Sequence, residues 1–208
     1  AGTPERMQLV VRGYNDGFAF CYKIPDGEGP RVNVQSELTA YNFAGDYTAW
    51  FYNGENHNIG PEKLTETDGT RLPVMTVKAG DKHYMAIHEA CLETGAPLVL
   101  QSKGGESLFS VASKPTSLSP GYTSAWRVVL YGTTPGVLTD SHLLELLNPD
   151  PDSRYDFSWV KPGLAVWDWR INGAVWDGFT YGMSYPSWVR MVDFAAEQGF
   201  KYLVLDAN

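Results

Sequence analysis

Three consecutive residues near the end of the chain, Trp167, Asp168 and Trp169, place a carboxylate between two indole rings. They follow the apolar run 164–166, which is typical of a short buried strand. In α/β barrels and open α/β sheets, active sites form at the carboxyl ends of the strands. This position makes Asp168 a candidate functional residue, the alternative being a carboxylate that caps a turn between two core rings. Alternation along a strand puts Trp167 and Trp169 on one face and Asp168 on the other.

A second acidic residue, Asp206, takes the same position at the end of the next apolar run, 202–205. Before that run, the connection from Arg170 to Tyr185 exceeds the roughly two to six residues usual for a strand-to-helix loop. It is also rich in Trp, Tyr, Asn and Asp. Long loops at the carboxyl ends of strands are typically functional, so the sequence predicts a binding site there.

His88 and Glu89 are adjacent, and histidine and glutamate are both residue types that bind metals in proteins. A zinc protease helix would carry a second histidine four residues after His88, but that position is Leu92, so the motif is absent. Glu89 is therefore either a surface carboxylate beside a strand end or one of the several oxygen ligands that calcium requires. Cys21 and Cys91 lie in apolar settings that favour free thiols over a disulfide.

The composition narrows the classes of protein to which the chain can belong. Its 208 residues are 43% hydrophobic and 13% aromatic, as in a folded globular chain, and carry a formal net charge of −8. That charge, with no cluster of Lys and Arg, argues against nucleic-acid binding. No apolar run approaches the roughly 20 residues that would span a bilayer, and no basic-then-apolar leader opens the chain. No phosphate loop, serine elbow or dinucleotide fingerprint is present.

The first two thirds of the chain read as strands. Up to about residue 132, short apolar or alternating runs are separated by clusters of Gly, Pro, Asn and Asp, and no amphipathic helix interrupts them. The first two runs flank Asn15-Asp16-Gly17, which predicts a hairpin over residues 7–24. Many short strands with regular turn signals indicate an all-β sandwich.

The pattern changes after Gly136. Asp140-Ser141 can cap a short helix with the sequence HLLELL, which Asn148-Pro149 stops, and the polar passage 148–156 reads as a linker. The sequence therefore predicts a sandwich domain over residues 1–150 and a second, different unit over residues 151–208.

The second unit is predicted to be one strand–helix–strand unit. Its first strand covers Leu164 to Trp169, and its second strand follows at 202–205. The helix between them opens at Ser184-Tyr185-Pro186 and is closed by Gly199. Its apolar residues fall at helical spacing: Trp188, Met191, Val192 and Ala195. Wholly apolar strands are typical of a parallel sheet that is buried on both faces.

Five segments, in order, resemble glycoside hydrolase family 97, bacterial enzymes that act on α-glucosides or α-galactosides. The five segments are RGYNDGFAF (12–20), AIHEACL (86–92), WRVVLYGTTPGVLTDSHLLELLNP (126–149), SWVKPGLAVWDW (158–169) and MVDFAAEQGFKYLVLD (191–206). The resemblance implies a β-super-sandwich followed by a (β/α)8 barrel. This chain would then hold part of the sandwich and the first βαβ unit of the barrel, incomplete, with the remainder expected downstream.

The resemblance also implies ligands and roles. Family members use calcium, and Glu89 matches the sandwich glutamate of a Glu-Ala-x-Leu segment that ligates it. By the same match Trp167, Asp168, Trp169 and Asp206 form a wall of the sugar site, with rings stacking on the sugar and carboxylates bonding its hydroxyls. The implied substrate is an oligosaccharide or other α-glycoside, and the implied location is periplasmic or secreted.

The resemblance has departures. The family continues after the second barrel strand with Glu-Gly-Trp, whereas Asp206 precedes Ala207 and Asn208, and Arg170 stands where an aromatic residue is common. The family's catalytic carboxylates lie further along the barrel, so no acid, base or nucleophile is assigned and the 208 residues alone are expected to be inactive. The alternative is a non-catalytic carbohydrate-binding β-sandwich with an appended βαβ arm. A sugar epimerase or mutarotase on a similar sandwich is a third hypothesis.

Overall fold

A computed structural model describes residues 7–52, 54 and 58–206. The chain divides into two compact units, Ala1–Asp150 and Pro151–Asn208, and each is described by itself. Ala207 and Asn208, where the sequence departs from the family pattern, lie outside the described residues. Among the described residues, no helix is long and apolar enough to cross a membrane.

The first unit is built mainly from antiparallel strands. Its described strands are β1 (Gln8–Tyr14), β2 (Gly17–Lys23), β3 (Val32–Val34), β4 (Ala40–Asn42), β5 (Thr48–Tyr52), β6 (Asn58–Lys63), β7 (Asp68–Lys78), β8 (Tyr84–Ala90), β9 (Leu100–Lys103), β10 (Leu108–Val111), β11 (Thr116–Leu118) and β12 (Trp126–Gly132). Ten of them join in the order β1-β2-β12-β8-β7-β9-β10-β4, with β5 beside β7 and β6 beside β5, while β3 pairs with β11. The prediction of a strand-rich sandwich is confirmed.

The long strand β7 connects the two parts of this sheet. Its first residues, 68–71, pair with β9, and its last residues, 75–78, pair with β8. Because successive side chains point to opposite faces, the strands contribute to two separate cores. The first contains Ala49, Phe51, Leu64, Met75, Val77, Ile87, Leu98, Leu100, Phe109 and Val111. The second contains Ala19, Cys21, Ala86, Ala90, Trp126, Val128, Leu130, Leu143 and Leu147.

Two short helices follow the last strand of the first unit, α1 (Pro135–Asp140) and α2 (Leu143–Leu147). The predicted helix corresponds to α2, whose Leu143 and Leu147 are buried in the second core. Its cap differs from the prediction, because His142 is the N-cap residue, although the Ser141 hydroxyl still accepts the amide of Leu143 at 3.2 Å. The sequence analysis missed α1, which begins at a proline, a residue suited to the first helical turn.

The second unit has the predicted strand–helix–strand order with additional elements between. Its elements are β13 (Ala165–Trp167), α3 (Asp168–Ile171), β14 (Val175–Trp176), β15 (Phe179–Thr180), α4 (Tyr185–Gln198) and β16 (Tyr202–Val204). Strands β13 and β16 pair in parallel, as predicted. Helix α4 has Ser184 as its N-cap and the left-handed Gly199, at φ 71°, as its C-cap, so both predicted ends are confirmed.

One prediction for this unit is wrong in detail. The first strand ends at Trp167 and not at Trp169, because the chain turns into α3 at Asp168. Within the unit Ala165 is exposed and Trp167 is 36% exposed, as in a sheet that two strands leave incomplete. Helix α4 buries Met191 and Ala195, and a single helix can cover only one face of a two-stranded sheet.

The described cysteines are both free, as the sequence predicts. Cys21 is buried in the second core, and burial raises the pKa of its thiol above the ordinary value. Burial also raises the pKa of the Cys91 thiol, which lies after β8. Both thiols therefore stay protonated at neutral pH and are poor nucleophiles.

The predicted hairpin is confirmed and yields a test of the sheet. Strands β1 and β2 pair from Gln8↔Lys23 to Tyr14↔Gly17, and Gly17 lies against β12, where an added Cβ would overlap the carbonyl oxygen of Val129. We expect Gly17→Ala to lower the free energy of unfolding by about 1–3 kcal/mol, because the backbone must shift to admit the methyl group.

The matched control for this substitution is Gly13→Ala in the neighbouring strand. An added Cβ at Gly13 meets no atom within 4 Å, so this variant should melt close to the unchanged protein. Thermal and denaturant unfolding followed by circular dichroism measures both variants. Equal stability of the two variants would contradict the close approach of β2 and β12 at Gly17.

Candidate functional site

Glu89 lies near the end of β8, directly opposite Arg127 on β12. Side-chain alternation places Glu89 on the same face of β8 as Ile87, which belongs to the first core. The Glu89 side chain is only 11% exposed and that of Arg127 only 6%. Glu89 is therefore not a surface carboxylate, which was one of the two alternatives that the sequence left open.

Arg127 is a buried cation held by two carboxylates. Its Nε and Nη2 donate to Oε1 and Oε2 of Glu37 at 2.9 and 2.6 Å, and its Nη1 lies 3.3 Å from Oε2 of Glu89. The first pair has the bidentate geometry that suits a guanidinium and a carboxylate. Two carboxylates and one guanidinium leave the cluster with one net negative charge.

Burial and neighbouring groups shift the pKa values of Arg127 and Tyr41. Burial by itself lowers the pKa of Arg127, but the hydrogen bonds and charge of Glu37, then Tyr41 and Glu89, raise it above its ordinary value. Burial raises the pKa of the nearby Tyr41 phenol. The Tyr41 hydroxyl is buried and has no hydrogen-bond partner within the described part of the chain. The cluster therefore keeps a charged arginine and a neutral tyrosine at neutral pH.

The carboxylate of Glu89 also fixes the backbone that follows β8. Both of its oxygens lie 2.9 Å from the amide nitrogen of Leu98, which donates to them. The neighbouring His88 accepts the amide of Glu89 through Nδ1 at 2.8 Å, and burial lowers the pKa of His88. Glu89 thus has a structural role that the sequence analysis did not foresee.

Calcium takes about six to eight oxygen ligands. In residues 7–52, 54 and 58–206, no group of three or more His, Cys, Asp or Glu side chains is placed to hold a metal ion. Glu37 is committed to Arg127, so Glu89 is left as a single carboxylate. These residues do not make a calcium site by themselves, and Glu89 supplies at most a minority of the required oxygens.

Asp168 in the second unit is 1% exposed, although it follows directly after a strand. Its Oδ2 accepts the indole N–H of Trp188 on α4, and its Oδ1 accepts the amide of Asp206, both at 2.9 Å. One carboxylate therefore connects the end of β13, the helix and the residues after β16. Asp168 thus binds a backbone amide, as a capping residue does, but the flanking Trp167 and Trp169 are exposed and are not the core rings of that alternative.

Of the other predicted sugar-wall residues, Trp167 and Asp206 are connected to Asp168 by hydrogen bonds, and Trp169 lies apart on α3. The indole N–H of Trp167 donates to Oδ2 of Asp206 at 3.1 Å, and the Arg170 guanidinium lies 5.3 Å from the centre of the Trp167 ring system. Trp167, Asp168 and Asp206 are thus joined by hydrogen bonds. Trp169 is 51% exposed and lies on α3.

The sequence analysis missed two features of these sites. The burial of Arg127 could have been predicted, because a charged residue inside the apolar run WRVVLYG needs buried partners. Its partner Glu37 could not, because the two residues are far apart in the sequence. The loop before α4 contains the hairpin β14–β15, and its Asp177-Gly178 pair is a recognisable hairpin turn. The sequence analysis considered only the length and composition of this loop, and so the hairpin was not predicted.

Comparisons with known proteins give the relatives of the chain. A family model described as "Glycosyl-hydrolase 97 N-terminal" matches residues 1–149. A retaining alpha-galactosidase from Bacteroides thetaiotaomicron is 28% identical, and the match covers 95% of this chain and 36% of that protein. A probable retaining alpha-galactosidase from Streptomyces bingchenggensis is 30% identical over 98% of this chain and 31% of that protein.

Solved structures share the fold. A family 97 glycoside hydrolase from Pseudoalteromonas sp. strain K8 in complex with acarbose has a TM-score of 0.78 and 25% identity, covering 95% of this chain and 32% of that chain. A beta-arabinopyranosidase with 17% identity has a TM-score of 0.77, over 96% of this chain and 35% of that chain, and shows the fold alone.

The chain spans about a third of the length of these relatives. The family model covers 149 of the 208 residues, which is well over half of the chain. Its sandwich-like sheet and its fold neighbours agree with that match. The chain belongs to glycoside hydrolase family 97, and its residues 1–149 match the N-terminal domain of that family.

Proposed function

We propose that the protein to which this chain contributes hydrolyses α-galactosides. The observation that carries the proposal is the pair of curated relatives, both described as retaining alpha-galactosidases, which match 95% and 98% of the chain. Those matches extend beyond residue 149 and so include the second unit. The parallel pairing of β13 and β16 around α4 supports our further proposal that this unit is the first βαβ unit of a (β/α)8 barrel.

Glycoside hydrolysis uses two carboxylates across the scissile bond and an oxocarbenium-like transition state. Three carboxylates of the candidate sites already have other partners. Glu37 and Glu89 bind Arg127, and Asp168 binds an indole and a backbone amide. We place the catalytic pair outside the described residues, and the 208 residues alone are then inactive.

In this proposal the second unit supplies part of the sugar-binding wall. Trp167 and Trp169 present exposed indole surface, which suits the C–H faces of a pyranose. Asp206 accepts the Trp167 N–H through one oxygen, Oδ2, and can accept a sugar hydroxyl through the other. Asp168 is buried and holds the Trp188 indole and the Asp206 amide by hydrogen bonds.

The substrate proposal predicts the activity of the complete protein. We expect hydrolysis of p-nitrophenyl α-D-galactopyranoside with kcat/KM at least about tenfold above that for the α-glucopyranoside, a transition-state difference of about 1.4 kcal/mol. Nuclear magnetic resonance of the first-formed sugar should show the α-anomer, since both curated relatives are described as retaining enzymes.

Preference for the glucoside would overturn the substrate choice. Sugar binding without hydrolysis of either substrate would favour the carbohydrate-binding alternative.

We also propose that calcium binds the complete protein with Glu89 as one ligand. Glu89→Gln keeps the shape and one acceptor for the Leu98 amide but removes the charge, so we expect calcium affinity, measured by calorimetry, to fall at least about tenfold. Glu37→Gln is the comparison variant: it removes the same charge from the cluster but no proposed ligand, so we expect it to lower calcium affinity less than Glu89→Gln.

Unchanged calcium affinity in Glu89→Gln would rule out the ligand role. An equal loss in both variants would show that the affinity depends on Arg127 pairing rather than on ligation by Glu89.

Asp168→Asn tests the buried carboxylate of the proposed wall. The amide side chain can accept only one of the two donors, Trp188 Nε1 and Asp206 N, so we expect a loss of about 1–3 kcal/mol in unfolding free energy. A sugar-site role further predicts a lower kcat at temperatures where the variant is fully folded. Wild-type turnover by the folded variant would leave Asp168 with a capping role alone.

A further inference from the structure

The connection between β13 and α4 contains a two-stranded hairpin. Val175 pairs with Thr180 and Trp176 with Phe179. The turn residues Asp177 and Gly178 both have positive φ, 51° and 69°, as a two-residue hairpin turn of matching twist requires. Two further backbone bonds at 2.8 Å, Gly173 N to Tyr181 O and Tyr181 N to Ala174 O, extend the ladder. The loop therefore has a defined shape.

One side of this hairpin is anchored by aromatic contacts. The Phe179 ring meets Tyr181 edge-on at 5.1 Å, and the Arg190 guanidinium lies over Phe179 at 4.1 Å. Arg190 belongs to α4, so the hairpin is fixed to the helix that follows it. A cation over an aromatic face at this distance is a favourable contact.

Trp176, which pairs with Phe179, is exposed to solvent. Trp176 is 75% exposed, and the adjacent Asp177 is also exposed. A large ring in water forgoes the free energy that its burial would supply. An accessible ring face beside a carboxylate is instead the combination that recognises a neutral sugar, because the ring contacts C–H groups and the carboxylate accepts from a hydroxyl.

The position of the hairpin in the fold indicates that it contributes to the substrate site. It follows β13, and therefore lies in a connection that leaves the carboxyl end of a parallel strand, the edge where such sheets bind ligands. Trp167 and Asp206 lie at the strand ends themselves, whereas Trp176 lies at a hairpin tip nine residues further along than Trp167.

We propose that Trp176 stacks on the sugar unit on the leaving-group side of the scissile bond and that Asp177 accepts a hydroxyl of that unit. This inference rests on the proposed α-galactosidase function. It assigns Trp176 to selection of substrate length and linkage and gives it no part in bond cleavage.

Steady-state kinetics on the complete protein test the assignment. We compare an α-1,6-galactosyl disaccharide, which has a sugar leaving group, with α-galactosyl fluoride, which has none. For Trp176→Ala we expect KM for the disaccharide to rise about tenfold with kcat little changed, as expected for loss of a stacked ring that binds ground and transition states equally. The fluoride should react as with the unchanged protein, and Trp176→Phe should recover most of the disaccharide affinity.

The matched control is Val175→Ala. Val175 is the adjacent residue in the same hairpin, is 66% exposed and pairs with Thr180, so its truncation should leave both substrates unaffected. Calorimetric binding of the S-linked analogue of the disaccharide, which a glycosidase does not cleave, measures the contact without turnover. It thereby separates failure of this inference from failure of the proposed function.

Two results would overturn the inference. One is equal disaccharide affinity in Trp176→Ala and the unchanged protein, whether or not hydrolysis occurs. The other is an equal loss of activity on both substrates, which would show that Trp176 maintains the structure of the loop.

Discussion

The pairing of Arg127 with Glu37 and Glu89 is the constraint on which the first unit depends. An arginine whose side chain is 6% exposed is tolerated in a protein interior only when its charge and its donors are matched. The two carboxylates come from different parts of the chain, Glu89 from β8 and Glu37 from the segment between β3 and β4. The register of β8 against β12 places Glu89 opposite Arg127, so a slip by one residue would leave the cation unpaired.

The second unit uses the same principle with the charges reversed. Asp168 is a buried carboxylate with no cationic partner among its hydrogen bonds, and an indole N–H and a backbone amide satisfy it instead. Hydrogen bonds to the charged form are enough to hold a carboxylate in a buried position. In both units a buried charge near a strand end fixes a neighbouring segment, the backbone at Leu98 in one and at Asp206 in the other.

The sequence predicted those features of the fold that depend on neighbouring residues. Asn15-Asp16-Gly17 predicted the first hairpin, and Ser184 and Gly199 predicted the ends of α4, because turn and cap chemistry is local. The pairing of β7 with both β8 and β9 and the pairing of Glu37 with Arg127 could not be predicted, since both depend on residues far apart in sequence. The apolar run of β13 indicates surface that the strand can bury, and within this unit two strands and one helix leave part of it uncovered.

The geometry of Glu89 limits how it can serve as a metal ligand. A guanidinium 3.3 Å away opposes a cation at the same carboxylate, but Glu37 takes Arg127 in a closer bidentate contact and offsets much of its charge. The cluster therefore retains one negative charge, which attracts a cation, while the Leu98 amide orients the carboxylate that would receive it. Each oxygen of Glu89 already accepts that amide, so a metal must use the remaining lone pairs and take most of its ligands from elsewhere. On this view Arg127 and Glu37 set the net charge around Glu89, the Leu98 amide sets its orientation, and a calcium site would be completed only when other parts of the protein meet this end of β8.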